Sequence, residues 1–216
     1  MTSNVVIVSG GQVEGLAELV GQSQQGKKVI GVDRGALRLI DAGLDCHVAI
    51  GDFDSISSKE LEKINDCVET VIILPAEKDM TDTEAALDYV VSHYPDAQIK
   101  MIGLLGGRLD HLMSNLWIAY HPSYQQLLAQ ITIVDSRNSL SYYRPGRYHI
   151  LKEKDKKYLS LVGMTAVKKL VIKDAKYPLT GHDFSFPIAL VSNEFLGEQM
   201  TFSFEEGLIA LIQSND

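Results

Sequence analysis

Six aspartates stand in four short polar segments, each directly after an apolar, strand-like run: Asp33, the pair Asp52 and Asp54, the pair Asp79 and Asp82, and Asp110. If those runs are parallel strands, every one of these carboxylates emerges at the carboxyl edge of one sheet, where open α/β sheets bind their ligands. Acids brought close repel and raise one another's pKa, so such a cluster normally persists because a cation lies among the oxygens. The pattern predicts divalent-metal chemistry on a phosphate-bearing ligand.

The sharpest local signal is Gly51-Asp52-Phe53-Asp54-Ser55. Successive residues of an extended segment point oppositely, so Asp52 and Asp54 share one side while Phe53 anchors in the other. Two carboxylates a pleat apart can share a hard cation such as Mg²⁺, with phosphate oxygens filling the remaining positions. The structural alternative makes Asp54 or Ser55 a turn former and helix cap. In Lys78-Asp79-Met80-Thr81-Asp82-Thr83-Glu84, Thr81 and Glu84 form a capping box, and Asp82 gains from the helix dipole even without a ligand. Asp79 precedes the cap and is not needed for it. It is the candidate for a third metal carboxylate, with Lys78 as a phosphate counter-charge.

Gly106-Gly107-Arg108-Leu109-Asp110-His111 opens a further helix. Paired glycines let backbone approach a ligand, and Arg108 presents a planar donor fork suited to phosphate at a helix N-terminus. Asp110 is either a ligand or the N-cap, and His111 either a hydrogen-bonding residue or an acid or base. The stripe Leu112, Met113, Leu116, Trp117 and Tyr120 reads as core packing. Gly10-Gly11 and Asp33-Arg34-Gly35 complete the edge. Neither a full Gly-x-Gly-x-x-Gly nor a Walker A pattern occurs, which disfavours a dinucleotide oxidoreductase and a P-loop kinase. A Gly-x-Ser-x-Gly elbow and paired metal-binding Cys/His motifs are also absent.

The elements that must position these residues follow from periodicity. Val5 to Val8, Val29 to Val32, Val48 to Ile50, Val71 to Leu74, Met101 to Leu105 and Ile131 to Val134 are continuously apolar and predict buried parallel strands. Helix starts lie between them at Ser57-x-x-Glu60 and Thr81-x-x-Glu84, and Gly43 can close a helix beginning near Gly35. The expected first domain, residues 1–135, is therefore a doubly wound α/β unit with a mostly parallel sheet and helices on both faces. Beyond it, Asn138-Ser139 and Pro145-Gly146 are turn signals. Short runs follow at strand-and-turn spacing: 148–151, 158–162, 170–172, 190–191, 200–204 and 208–212. Residues 136–216 are expected to form a small antiparallel β-sandwich or jelly-roll-like domain.

The chain has 216 residues, 45% hydrophobic and 22% charged, as in an ordinary globular protein large enough to bury a core. A net charge of −8 argues against nucleic-acid binding, which needs a basic surface to displace counterions. Only Cys46 and Cys67 are present, too few for a disulfide framework. Met1-Thr2-Ser3-Asn4 carries no basic leader region, and no apolar run approaches bilayer length. These features predict a cytoplasmic protein without membrane or nucleic-acid partners.

Taken in order, Asp33-Arg34-Gly35, Gly51-Asp52-Phe53-Asp54-Ser55, Lys78-Asp79-x-Thr81-Asp82-x-Glu84 and Gly106-Gly107-Arg108-x-Asp110-His111 closely resemble the thiamine pyrophosphokinase family. The resemblance continues through Lys176-Tyr177-Pro178-Leu179 and Ser192-Asn193-Glu194. It implies transfer of the terminal pyrophosphate of ATP to the hydroxyl of thiamine, releasing AMP, in a homodimer whose thiamine sites lie between subunits. By that resemblance Asp52, Asp54 and Asp79 hold Mg²⁺, Arg108 and Lys78 offset charge on the group in flight, and Asp54 or Asp79 takes the hydroxyl proton. Asp33, Gly35, Thr81, Asp82, Gly106, Gly107, Asp110 and His111 would surround the ATP. The second domain would bind thiamine and dimerise, with Ser192 and Asn193 as hydrogen-bonding residues. Some members stack the pyrimidine on a second-domain tryptophan, whereas Trp117 lies in the first; Tyr177 or Phe195 would substitute. Competing readings are another Mg²⁺-dependent kinase or nucleotidyltransferase, and a non-catalytic ATP-sensing module.

Overall fold

Six β-branched runs form the parallel strands of the first part of the chain: β1 (Asn4–Val8), β2 (Lys27–Val32), β3 (Val48–Gly51), β4 (Thr70–Ile73), β5 (Gln98–Ile102) and β6 (Ile131–Val134). The structure is a computed structural model describing residues 4–21 and 26–216; the leader positions 1–3 considered above lie outside the described residues. The strand order is β6-β5-β1-β2-β3-β4, every neighbouring pair parallel. Between the strands run α1 (Leu16–Val20), α2 (Arg34–Asp41), α3 (Ser58–Cys67), α4 (Asp82–His93) and α5 (Leu109–Trp117). The central strands are apolar on both faces because both faces are covered: Ile7, Val8, Val29 and Ile30 are fully buried.

Three expectations need correction. β4 is an edge strand, and Ile73 is 62% exposed, so its continuous apolar run does not mark burial on both faces. β5 ends at Ile102 instead of running to Leu105. The Ile102 carbonyl accepts the Ser9 N–H at 2.8 Å, after which Gly103, at φ 80°, turns the chain out of the sheet. On α5, Met113 and Trp117 are exposed, Tyr120 just beyond is exposed as well, and no residue of the helix is fully buried. Helical periodicity fixes which side chains share a face, whereas the neighbouring elements decide which face is covered.

The local helix signals form as the side chains dictate. Ser57 and Thr81 each accept the N–H three residues on, from Glu60 and Glu84, while those glutamates take back the Ser57 and Thr81 N–H groups at 2.7 Å. Both helix starts thus satisfy otherwise orphaned donors.

The chain divides into two compact units, Met1–Ser136 and Arg137–Asp216. The second is antiparallel throughout: β7 (Asn138–Tyr143), β8 (Gly146–Leu151), β9 (Tyr158–Gly163), β10 (Val167–Lys173), β11 (Leu179–Phe184), β12 (Ile188–Glu194), β13 (Gln199–Phe204) and β14 (Ile209–Ser214). Strands β11-β10-β13-β8 form a separate four-stranded sheet, and β12-β9-β14-β7 pair with one another. Asn138 and Ser139, expected as a turn, open β7, because their backbone pairs with Ser214 and Gln213 of β14. The core gathers alternate residues of both sheets, among them Leu159, Leu161, Ile172, Phe202 and Leu211. No helix among the described residues is long and apolar enough to cross a membrane.

Thr81 carries a cap in addition to lining a cavity. Thr81→Ala should lower stability by about 1 kcal/mol and Thr81→Ser should restore it, as measured by urea denaturation.

Candidate active site

Strand β2 delivers Asp33 at the sheet edge in a conformation that side chains rarely adopt, φ 48° and ψ −123°. The neighbouring strand β3 delivers Asp52, and Phe53 after it is also at positive φ, 56°. The two turns brace each other: Asp33 Oδ1 accepts the Phe53 N–H at 3.3 Å, and the Phe53 ring is buried. Gly51 makes the arrangement possible, because a Cβ there would lie 2.0 Å from Asp33 Oδ1. From the first turn of α4, Asp82 completes the group. One oxygen each of Asp33, Asp52 and Asp82 lies within 4.8 Å of the others.

Lys78 is the counter-charge of this triad. Its Nζ stands 3.0 Å from Asp52 Oδ2 and 3.0 Å from Asp82 Oδ1, and both contacts are largely screened from solvent. The second contact lies off the hydrogen-bonding direction, so the buried Asp82 Oδ1 accepts no hydrogen bond. Burial, followed by the charge of Asp82, pushes the Asp33 carboxyl up to about 7. The hydrogen bond from Lys78 holds Asp52 below the ordinary carboxylate range. Burial alone would lower Lys78, but its hydrogen bond to Asp52 and the charges of Asp52 and Asp82 keep its ammonium above the usual value. Three carboxylates and one ammonium leave a formal charge of 3 × (−1) + 1 = −2 when all are ionised, the complement of a divalent cation.

The triad borders a cavity of about 490 Å³, which includes Asp33 and Asp82 in its wall. Ser9 and Gly10-Gly11 follow β1 into it, and Gly106, Gly107 and Arg108 close it from the β5 side. Gly106 and Gly107 are both at positive φ, 84° and 74°, which leaves their turn free of Cβ crowding. Arg108 forks onto Asp110, with Nη2 to Oδ2 at 2.6 Å and Nε to Oδ1 at 3.2 Å. Asp110 is therefore not the N-cap: Arg108 occupies that position, and hydrogen bonding to the guanidinium holds the Asp110 carboxyl down to about 2. His111 lines the cavity and donates its backbone N–H to Asp110.

The structure thus brings together Asp33, Asp52, Lys78 and Asp82. Thr81, Gly106, Gly107, Arg108, Asp110 and His111 line the cavity beside them. Asp54 and Asp79 are exposed and stand outside the oxygen triad. Asp54 donates its N–H to Asp52 Oδ1 at 3.2 Å. Gly35 does not line the cavity; its role is packing, since a Cβ would meet the Val8 carbonyl at 1.9 Å. Sequence reading did not single out Ser9 and Thr83, whose hydroxyls meet at 3.3 Å at the cavity edge, or Ser114 and Asn115. The last two lie one turn beyond Asp110 and His111, so helical spacing from those residues could have found them.

In the second unit, Tyr177 is 57% exposed, whereas Phe195 packs against the β core. Ser192 is exposed at positive φ, 57°. Asn193 is buried, and its amide bonds the Tyr177 backbone on both sides.

Two family models match this chain in order: "Thiamin pyrophosphokinase, catalytic domain" over residues 22–131 and "Thiamin pyrophosphokinase, vitamin B1 binding domain" over residues 147–209. The thiamine pyrophosphokinase of Bacillus subtilis (strain 168) is 34% identical over 212 residues, covering 97% of this chain and 98% of that protein. The crystal structure of a thiamin pyrophosphokinase family protein from Enterococcus faecalis superposes with a TM-score of 0.93 at 42% identity, over 99% of this chain and 100% of that one. The Candida albicans thiamin pyrophosphokinase, 15% identical, shares the fold with a TM-score of 0.82, over 99% of this chain and 90% of that one. With both models matched in chain order and a relative this similar over nearly its whole length, the chain belongs to the thiamin pyrophosphokinase family.

Proposed function

We propose that the cavity of the first unit takes the phosphates of ATP, with Mg²⁺ among Asp33, Asp52 and Asp82, and that the second unit binds thiamine. The family activity is transfer of pyrophosphate from ATP to the hydroxyl of thiamine, giving thiamine diphosphate and AMP, and this chain is an enzyme of that kind. The oxygen triad is the observation that supports the metal assignment. Its donors are hard carboxylates from three separate elements, its net charge suits a divalent ion, and the buried Asp82 Oδ1 lacks a hydrogen bond. A bound magnesium ion would supply charge neutralisation to the phosphate oxygens.

The remaining roles belong to this chain's own groups. Lys78 and Arg108 offset phosphate charge, the latter with a fork that Asp110 already holds in plane. One of the two carboxylates clear of the triad, Asp54 or Asp79, takes the proton of the thiamine hydroxyl. Thr81 and the Gly106-Gly107 turn shape the phosphate pocket. The same reading makes residues 1–135 the catalytic domain, doubly wound with helices on both faces, and residues 136–216 a β-sandwich. It places the protein in the cytoplasm as a homodimer. The exposed stripe of Leu109, Met113, Trp117 and Tyr120 along and just beyond α5 supports association, because apolar surface at helical spacing favours a covering partner.

Incubation with ATP, Mg²⁺ and thiamine, followed by nucleotide analysis, tests the reaction. AMP formed in step with thiamine diphosphate is the expected outcome. ADP would mean phosphoryl transfer, free pyrophosphate nucleotidyl transfer, and thiamine-independent binding without turnover a sensor.

Asp33→Asn, Asp52→Asn and Asp82→Asn should each lower turnover at least ~100-fold in a folded protein, since each removes a charge that positions the metal. Steady-state rates against Mg²⁺ concentration check this. Wild-type rates in all three would sink the triad. Arg108→Lys should lower turnover nearly as much as Arg108→Ala, because an ammonium cannot reproduce the planar fork; full rescue by lysine in the same assay would reduce the residue to a point charge.

Asp33 also predicts a pH signature. With a carboxyl near 7 in the cation-free protein, against 3.8 when unfolded, its stabilising contribution is complete below about 4 and lost as pH rises through about 7. Mg²⁺ should therefore displace up to one proton per ion bound near pH 6 and almost none above about pH 8.5. Calorimetry in buffers of different ionisation enthalpy reads this directly, and Asp33→Asn should abolish the release.

A further inference from the structure

Charge is divided unevenly between the two units. Residues 1–136 carry nine Lys and Arg against 19 Asp and Glu, a net charge of −10, whereas residues 137–216 carry 11 against nine, a net charge of +2. Part of that positive balance is gathered on one surface, the outward face of the sheet β11-β10-β13-β8.

Alternation along the strands decides which residues stand there. Ile150, Ile172 and Phe202 are buried in the core of the unit, so His149, Lys173 and Thr201 beside them turn outward. Arg147, Val171 and Ser203 share that face two positions away. Register then aligns them in two rows across the sheet. His149, Thr201 and Lys173 are direct neighbours in one row, and Arg147, Ser203, Val171 and Thr180 in the next.

The rows line a cavity of about 540 Å³. No carboxylate stands in its wall, although the chain has 28, whereas Asp33, Asp82 and Asp110 all line the cavity of the first unit. Other lysines of the second unit are paired, Lys168 with Glu206 and Lys176 with Glu194, each at 2.7 Å. By contrast, the side chains of Arg147, Lys173, Thr180 and Ser203 make no ion pair or hydrogen bond among the described residues. Thr201 Oγ1 and His149 Nδ1 lie 3.3 Å apart, within hydrogen-bonding distance of each other.

We propose that this face is a second anion site, which takes a small phosphate-bearing molecule between Arg147 and Lys173, with the hydroxyls of Thr180, Thr201 and Ser203 as neutral donors. It lies wholly within the second unit and does not depend on where the first unit holds ATP. The donor set selects the ligand class. Guanidinium and ammonium groups only donate, hydroxyls donate readily, and no carboxylate in the wall repels a negative charge. Strands about 4.8 Å apart put β8 and β10 roughly 10 Å apart on either side of β13, so the two cations approach one anion from opposite sides. A guanidinium fork matches two phosphate oxygens and leaves the others to the ammonium and the hydroxyls.

Calorimetric titration of the full-length, metal-free protein tests this, with inorganic pyrophosphate and AMP as separate probes. Without a divalent cation the three carboxylates of the first unit repel such anions, so the basic face is read by itself. Pyrophosphate should bind, and less tightly as salt rises. Arg147→Gln combined with Lys173→Gln should weaken it at least ~10-fold, the cost of losing charge-assisted hydrogen bonds, with the urea midpoint unchanged because both positions are exposed. If the double variant is destabilised, each single substitution takes its place with the same reading. In the ¹H–¹⁵N spectrum the amides that shift should cluster at Thr180, Thr201 and Ser203. Binding of both probes assigns recognition to the phosphoryl group itself, and binding of pyrophosphate alone narrows the class to diphosphates. Unchanged affinity in the Arg147 and Lys173 variants overturns the site. Loss of binding in Arg108→Ala, which places the anion in the first unit, overturns it as well, and so does the absence of binding by either probe at low salt.

Discussion

Three carboxylates held within 4.8 Å of one another repel, and much of the first unit's sheet edge is built to keep them there. Lys78 offsets part of the charge, and Asp33 retains its proton up to about 7 because burial and Asp82 oppose ionisation. Backbone supplies the rest. Asp33 and Phe53 both sit at positive φ, a conformation that costs free energy for any residue with a side chain and persists only where surroundings enforce it. The buried Phe53 ring, its N–H bond to Asp33 and the missing side chain at Gly51 are that enforcement. Carboxylates held this way are destabilising wherever their charge is left uncompensated.

The same economy governs charge beyond the triad. Arg108 and Asp110 lie on an exposed helix start, where an ion pair adds little to stability. Its consequence is geometric: the guanidinium is held in a plane at the cavity mouth. In the second unit, a one-residue bulge between Leu190 and Asn193 of β12 has a comparable effect. Side chains of a strand alternate with period two, so one inserted residue exchanges inside for outside, and it moves the Asn193 amide inward, where it bonds backbone. Ser192 is the strained residue that permits this.

Local chemistry was legible from the amino-acid order alone. Continuous β-branched runs gave the parallel strands, since a strand covered on both faces has no polar side to show. The capping boxes at Ser57 and Thr81 could be read because all their partners lie within four residues. The ordered acidic and glycine motifs sufficed to place the chain in its family. They also put all six aspartates at the sheet edge, with Asp52, Asp54 and Asp79 read as the metal carboxylates and Asp33 and Asp82 beside the ATP, because a strand's carboxyl end and a helix's first turn are local features.

Tertiary structure alone decided which candidates meet. Asp54 is two residues from Asp52 and Asp79 one from Lys78, yet both face solvent, whereas Asp33 and Asp82, far apart in sequence, join Asp52 through the order of neighbouring strands and the entry of α4. The exposure of β4 and of Trp117 was hidden for the same reason: periodicity says which residues share a face, and only the elements packed around that face determine whether water reaches it. Asn193 shows the limit most directly. Its identity is fixed by sequence, but its burial follows from a bulge set by pairing with β9 and from a turn more than a dozen residues away, whose backbone its amide bonds.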